Sequence, residues 1–192
     1  VYRTLFRMTL NWNKSRALAY GVFFVSKILG FFIPLVIELV VKLVKKGFQL
    51  DNIISYGNMF LIGNGHLGYR GTLEEFSKDE MVGLNVVGVY DQYKDKWKES
   101  LNMPNPFFAL LKSEDKQFSV LRNIHLDHQV TLDLSKAMFK RKTTYNEVEI
   151  KSERFVSHYH DNLLAMKYEV KALKDIKLNL TIGMDENIYE IN

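Results

Sequence analysis

The stretch Leu61–Gly71, LIGNGHLGYRG, decides which fold the sequence predicts. Three of its glycines spell G-x-G-x-x-G, the pattern of a dinucleotide-binding loop, and an apolar run precedes them. Such a loop needs a helix that begins at the third glycine and leads into a parallel strand. Here Gly68 is followed by Tyr69, Arg70 and a further glycine, so a helix cannot begin cleanly. The context therefore argues against a nucleotide site.

The same stretch is better explained as a β-hairpin. Asn64-Gly65 is a preferred pair for a two-residue type I′ turn, because both positions tolerate positive φ. The flanking segments 60–63 and 66–69 would then pair as strands, and the later glycines would let another backbone approach closely. In this interpretation Asn64 makes the turn and contacts no ligand, whereas His66 and Arg70 could point into a cleft.

The chain after Asp51 predicts strands. Short runs of alternating apolar and polar residues recur, and turn-forming residues separate them. The clearest runs are 84–90, 130–134, 137–145, 148–152, 164–170 and 176–182. Period-two alternation at this spacing is typical of antiparallel strands with one buried face. We therefore expect a mainly β fold, an antiparallel β-sandwich, over residues 51–192.

One short helix is predicted inside this region, from Leu73 to about Met81. Thr72 and Glu75 have the spacing of a capping box at its start. Glu74 and Glu75 would lie in the first turn, where carboxylates interact favourably with the helix dipole.

The composition excludes several classes of function. There is no cysteine, which excludes a disulfide framework, a thiolate metal site and a cysteine nucleophile. The net charge of +4 comes from residues 1–50, which carry eight basic groups and one acid. The other 142 residues hold 18 basic and 21 acidic groups, so no basic face predicts a nucleic-acid partner.

Residues 17–44 are far more apolar than the rest and predict a helix. The length suits a membrane span, but Lys27, Glu38 and Lys42 form a narrow polar stripe along it. Three interpretations stay open: a transmembrane helix, a packed helix with the stripe facing water, or sequence foreign to the domain behind it. The predicted division is an apolar helical extension over 1–50 and a β-sandwich domain over 51–192.

The glycine-rich stretch also carries a family resemblance. GNGHLGYRG followed by Glu74-Glu75 closely resembles the GNG-x-x-G-x-RG-x-x-EE signature of the N-terminal domain of glycoside hydrolase family 65, which contains the maltose, trehalose and kojibiose phosphorylases. The likeness continues in order through 88–91, 101–105, 132–134 with Arg141, 154–157, 161–165 and 183–187. Two features depart from the family: Gly57, where Glu is common, and the hydrophobic segment 17–44.

The resemblance implies a β-sandwich that, in this family, precedes an (α/α)₆ barrel in which catalysis takes place. The family's reaction inverts the anomeric centre: a barrel glutamic acid protonates the glycosidic oxygen while inorganic phosphate attacks the opposite face of the sugar. The chain would then be the N-terminal domain of an inverting disaccharide phosphorylase. We expect it to be non-catalytic alone, without a cofactor or a metal, and to meet the disaccharide through the missing domain.

The lack of cysteine favours a reducing compartment, so we expect a cytoplasmic location, with membrane association of the N-terminal segment as the alternative. The resemblance further implies that the full enzyme forms a homodimer. Asn64, His66 and Arg70 are the candidate residues for the domain interface or the edge of the substrate site. On an alternating strand Lys140 and Lys142 share one face and Arg141 takes the other, which is the layout of a solvated strand rather than of a phosphate pocket.

A second class of function stays open, a stand-alone carbohydrate-binding or scaffold module that residues 17–44 tether to a membrane.

His158 and His160 would share one strand face and could serve as zinc ligands, although the resemblance implies no metal there. His125 and His128 do not share a strand face. Exposed aromatic side chains could stack on sugar rings, but such residues more often belong to a core; the candidates are Tyr90, Trp97, Phe107 and Phe108.

Overall fold

The computed structural model describes residues 41–92, 94–96, 98–114, 116–122 and 125–189, which form a mainly antiparallel β structure. A 3₁₀ turn, Leu50–Asn52, leads into one short helix, α1, Ile53–Met59. The strands are β1 Lys42–Lys46, β2 Ile62–Gly63, β3 Leu67–Tyr69, β4 Leu84–Gln92, β5 Lys98–Asn102, β6 Asn105–Lys112, β7 Gln117–Phe118, β8 Asp127–Asp133, β9 Met138–Thr144, β10 Val148–Val156, β11 Leu164–Ala172 and β12 Asn179–Asp185.

The strands form three antiparallel sheets in a sandwich-like arrangement. The largest has the order β1-β8-β9-β10-β11, a second has β2-β3-β4-β5, and a third has β12-β6-β7. Neighbouring strands pair antiparallel throughout these sheets. The predicted mainly β, antiparallel class is confirmed.

The largest sheet begins earlier in the chain than we predicted. β1 pairs with β8 and places Leu43 opposite Leu132, where Leu43 packs on the main apolar cluster. Residues 42–44 are therefore strand, not the end of a helix, and exposure alternates along β1 as expected when one face of an edge strand packs on a core. The predicted boundary at residue 51 is wrong for the same reason. The predicted helix up to residue 40 lies outside the described residues, and no described helix is long or apolar enough to span a membrane.

Two apolar clusters hold the sheets together, and strand alternation explains both. On β6 and β10 every second residue is buried, as period-two sequences require when one face packs on a core. The larger cluster contains Phe60, Ile62, Leu67, Tyr69, Leu73, Phe76, Val82, Leu84, Phe107, Val120, Val130, Leu132, Phe139 and Val156. The smaller one contains Leu111, Phe118, Tyr145, Val148 and Ile150.

The helix predicted from Leu73 to Met81 does not form, and turns occupy this segment. Glu74 and Glu75 are buried, at 0% and 8% exposure, instead of lying on a helix surface. The carbonyl oxygen of Glu74 accepts a hydrogen bond from the N–H of Ala109 at 3.0 Å. A capping box stabilises a helix by only about 1 kcal/mol, so tertiary contacts of both carboxylates override it.

Gly71 tests how tightly the glycine-rich stretch is packed. A Cβ at this position would lie 2.4 Å from Cβ of Phe60 and 2.5 Å from its carbonyl carbon. Since backbone cannot move aside cheaply, we expect Gly71→Ala to lower the free energy of unfolding by about 1–3 kcal/mol or more. Urea unfolding measures this.

Gly68 provides a matched control three residues earlier, because a Cβ there would meet nothing within 4 Å. We expect Gly68→Ala to change the free energy of unfolding by less than about 1 kcal/mol. Equal losses in the two variants would contradict the close packing of Gly71 on Phe60.

Candidate functional site

The predicted β2–β3 hairpin is present, but its turn lies one residue later than predicted. Gly63 pairs with Gly68, which places Gly65 and His66 at the centre of the turn. Gly65 has φ of +92°, whereas His66 is not among the residues with positive φ. A single positive φ at the first central position is typical of a type II′ turn rather than type I′. The predicted register was therefore wrong by one turn position.

Asn64 explains the shift, because its side chain fixes both the turn and a distant loop. Its Oδ1 accepts hydrogen bonds from the N–H groups of His66 at 2.9 Å and Leu67 at 2.7 Å. Its Nδ2 donates to the carbonyl oxygens of Ser157 at 2.7 Å and Asp161 at 2.9 Å. Both amide donors and both oxygen lone pairs are thus used within the chain. Asn64 joins the hairpin to the loop after β10.

Arg70 occupies the other end of β3 and secures α1. Its Nη2 donates to the carbonyl of Ile54 at 2.9 Å, its Nη1 to the carbonyl of Met81 at 2.8 Å, and its Nε to Oδ1 of Asn58 at 3.1 Å. The guanidinium lies directly over Gly57, where a Cβ would come within 3.0 Å of Nε. Burial lowers the pKa of Arg70. The glycine at position 57 therefore leaves room for this guanidinium.

The three candidate residues do not form one cluster. Asn64 and the half-buried His66 lie on the hairpin turn beside the loop after β10, whereas Arg70 faces α1. The polar groups of Asn64 and Arg70 are bonded inside the chain. Their role at a domain interface or substrate edge stays a prediction.

A buried ion cluster forms around Glu74 and Glu75, which follow the glycine-rich stretch in the chain, and our sequence reasoning missed it. Arg141 donates from Nη1 to Oε2 of Glu74 at 2.8 Å and to Glu75, and from Nη2 to Oε1 of Glu75 at 2.9 Å. Its Nε donates to Oγ1 of Thr143 at 2.8 Å. The side chains of Arg141 and Glu74 have no exposed surface.

A second arginine completes the cluster. Arg154 donates from Nη1 to Oε1 of Glu74 at 3.2 Å and from Nη2 to the carbonyl of Thr72. Its guanidinium carbon lies 4.0 Å from the ring centroid of Phe139, a cation–π contact. Ser152 donates from Oγ to Oε1 of Glu74 at 2.6 Å. Glu74 is therefore bonded to three different side chains.

The electrostatics make this cluster a structural element rather than an acid–base site. Burial by itself raises the pKa of Glu74, but Arg154 and Arg141 outweigh it and the pKa lies below its usual value. Burial disfavours the charged form of Arg141, yet Glu75 and Glu74 raise its pKa well above the ordinary value. A carboxylate held ionised and fully bonded cannot protonate a glycosidic oxygen.

One signal in the sequence could have revealed this cluster. The alternation that we predicted for β9 is confirmed, with Lys140 and Lys142 facing outward and Arg141 inward. Arg154 likewise occupies an inward position of β10. An arginine on the buried face of a strand needs a buried carboxylate, and Glu74-Glu75 supplies it here.

The histidines are placed differently from the zinc hypothesis. β10 ends at Val156, so His158 and His160 are exposed residues of the following loop and share no strand face. That prediction was wrong because Oγ of Ser157 accepts hydrogen bonds from the N–H of Tyr159 at 3.2 Å and of His160 at 3.0 Å, which turns the chain. Within the described ranges, no group of three or more His, Asp or Glu side chains could hold a metal ion.

His128 is the histidine with an unusual environment. It is buried on β8, its Nδ1 lies 2.8 Å from Oγ1 of Thr143, and the ring of His125 lies 5.6 Å away. Burial lowers the pKa of His128 from 6.5 to about 3; Arg141 and His125 add to this, whereas Glu74 opposes it. His128 is therefore neutral at physiological pH.

The aromatic candidates for sugar stacking are also separated. Phe107 is a core residue, at 4% exposure, and Phe108 is half-buried on β6. Tyr90 is exposed on β4. Trp97 lies outside the described residues. No shared stacking surface follows from these positions.

Breaking the ion cluster from one side should be costly. Glu74→Gln leaves Arg141 and Arg154 buried with too little compensating charge, so we expect the free energy of unfolding to fall by about 3 kcal/mol. The matched control is Glu153→Gln, which removes a half-exposed ion pair with Lys140 at 2.5 Å. That change should cost about 1 kcal/mol or less. Similar losses on denaturant unfolding would contradict a tertiary role for the buried cluster.

His128 should make stability depend on pH. The pKa of His128 is lower in the folded chain than in the unfolded one. The stability that neutral His128 contributes is therefore fully present above about pH 6.5 and is lost as the pH falls toward about 3. Between about pH 6.5 and pH 5 the loss should be roughly 2 kcal/mol. Glu74 has a lowered pKa, so its stabilising contribution is present throughout this window and is lost only at lower pH.

The measurement is urea unfolding of the wild type and His128→Gln over about pH 7 to 5. The glutamine can keep a hydrogen bond to Thr143 but cannot titrate, so its profile should be flatter. His158→Gln, at an exposed position, should keep the wild-type slope. An unchanged slope in His128→Gln would show that another group causes the pH dependence.

Comparison with known proteins agrees with this geometry. Residues 43–191 match the family described as glycosyl hydrolase family 65, N-terminal domain. The nigerose phosphorylase of Lachnoclostridium phytofermentans is 33% identical over 146 residues, which are 74% of this chain and 19% of that protein. The 1,2-alpha-glucosylglycerol phosphorylase of Bacillus selenitireducens is 30% identical over 155 residues, 78% of this chain and 20% of that protein.

The fold is shared with a solved structure. A putative kojibiose phosphorylase from human microbiome superposes with a TM-score of 0.68 at 20% identity, over 77% of this chain and 22% of the other. The chain thus spans about a fifth of the length of the proteins it matches. Because the family match covers most of the chain, including the hairpin and the buried ion cluster, the chain belongs to glycosyl hydrolase family 65 through its N-terminal domain.

Proposed function

We propose that the chain is the non-catalytic N-terminal part of an inverting phosphorylase that acts on an α-glucoside, such as a disaccharide. The observation that supports this most is the state of Glu74 and Glu75. They are the acids of the family signature, and both are buried and bound to arginines. The relatives include nigerose, 1,2-alpha-glucosylglycerol and kojibiose phosphorylases.

The chemistry of phosphorolysis supports a division of labour between this part and a separate catalytic part. The reaction needs an acid at the glycosidic oxygen and cationic or amide donors around phosphate. The basic residues on the outer face of β9 are engaged in ion pairs, since Lys140 pairs with Glu153 at 2.5 Å and Lys142 with Glu149 at 3.2 Å. Acid and phosphate site would therefore come from the part of the enzyme that the relatives carry beyond this match.

Within this proposal the sandwich supports the edge of the active site. The loops that Asn64 joins, and the hairpin turn with His66, are the rigid elements available for that contact. A homodimer, taken from the family resemblance, and a cytoplasmic location, which the lack of cysteine favours, are further parts of the proposal. The alternative of a membrane-tethered binding module depends on residues 17–40, which lie outside the described part of the chain.

A chimera tests the proposal. Residues 43–191 would replace the matching segment of the Lachnoclostridium nigerose phosphorylase, and the product would be incubated with nigerose and phosphate. We expect the chimera to release glucose 1-phosphate and the isolated chain to release none. The matched control is the same enzyme with the segment deleted, which should be inactive.

Two results would contradict the proposal. A chimera that unfolds cooperatively but has no phosphorolytic activity would show that this chain does not serve as the domain of such an enzyme. Turnover by the isolated chain, abolished by a carboxylate substitution within residues 51–189, would show that the chain has an active site of its own.

A further inference from the structure

β12 leaves an apolar surface open at the edge of its sheet. It pairs with β6 on one side, and no strand of the described residues pairs with its other side. Leu180, Ile182 and Met184 share one face of the strand and are 45%, 58% and 72% exposed. Their neighbours on β6 are different: Leu111, opposite Leu180, and Ala109, opposite Ile182, are buried. The core-facing side of β6 thus continues into β12, where the side chains are exposed.

The other long sheet edges carry charges that discourage pairing. An exposed edge with lysines resists the addition of a further strand, whereas an uncharged apolar edge invites it. The charged edge residues are Lys42, Lys45 and Lys46 on β1, Lys98 and Glu99 on β5, and Lys167, Glu169 and Lys171 on β11. β12 contains no lysine, arginine or proline, and its one charge, Asp185, is its last residue.

The geometry of β12 defines how much of it can pair. The register with β6 shifts beyond Gly183, because Gly183 pairs with Phe108 whereas Asp185 pairs with Asn105, which places the extra residue on β6. Such a bulge disrupts the ladder locally, so the regular pairing of β12 ends at Gly183. The regular part is therefore 179–183, five residues with alternating side chains, which is enough for a neighbouring strand of ordinary length.

We propose that β12 is a docking edge for an extended strand with alternating apolar residues, supplied by the polypeptide that the relatives carry beyond this match. The inference rests on the proposed function. The relatives are about five times as long as the matched part, so a large further body must contact this unit somewhere. A strand is the occupant that satisfies both the free peptide groups of β12 and its apolar face, as in β-strand addition.

Strand addition would also complete the smaller apolar cluster. Leu111 belongs to that cluster, and the half-buried Ile176 and Leu178 pack on it directly before β12. Apolar side chains of the added strand would lie beside Leu180 and Ile182 on the same face. The further body would then share its core with this unit instead of resting on a polar surface.

The test compares Ile182→Lys with Val87→Lys in the chimera and in the isolated chain. Ile182 and Val87 are both 58% exposed, the latter on β4, so the two changes are matched. We expect Ile182→Lys to lower the phosphorolytic activity and the unfolding midpoint of the chimera, the activity by about tenfold or more, because a lysine would enter a desolvated contact. In the isolated chain neither change should alter the unfolding midpoint.

Hydrogen exchange separates this inference from the proposed function. In the chimera, amides of 179–183 should exchange more slowly than in the isolated chain, whether or not the chimera is active. Equal exchange rates, or equal effects of Ile182→Lys and Val87→Lys, would overturn the docking edge. An inactive chimera with protected β12 amides would overturn only the proposed function.

Discussion

The contact between Arg141 and the two signature carboxylates is the constraint on which the rest of the structure depends. It joins segment 72–76 to the middle of the largest sheet across 67 residues of sequence. Three charges are desolvated together, so the arrangement is favourable only while every partner is present. Arg154 and Ser152 add two further hydrogen bonds to Glu74, and this bonding helps to make a charged core tolerable.

The hairpin is held in a similar way, except that its polar side chains bond mainly to neutral backbone groups. Asn64 uses its whole amide to connect a turn to a loop 93 residues later in the chain. Arg70 connects the end of β3 to α1 in a similar way. The glycine-rich stretch therefore looks like a phosphate-binding loop in sequence, yet its polar side chains bind their own backbone. The glycines serve close approach, as the contact of Gly71 with Phe60 shows.

Local patterns in the sequence predicted the antiparallel strands, the two faces of β9 and the existence of the hairpin, because alternation and turn chemistry are properties of neighbouring residues. The failures depend on distant partners. The helix predicted at Leu73 does not form because its acidic residues pair with Arg141 instead. The hairpin register differs because the side chain of Asn64 bonds within the turn. β1 was read as helix because its strand partner β8 is about 85 residues away.

The distribution of satisfied and unsatisfied groups shows what this unit can offer a partner. An active site keeps polar groups available in a cleft, whereas here the buried acids and arginines are bonded to one another. Within the described residues, the outer edge of β12 also presents exposed apolar side chains. Such a surface gains free energy when a sheet and a core are extended over it. The buried charges of this unit thus serve its own architecture, and β12 is the surface to which our proposal assigns a further strand.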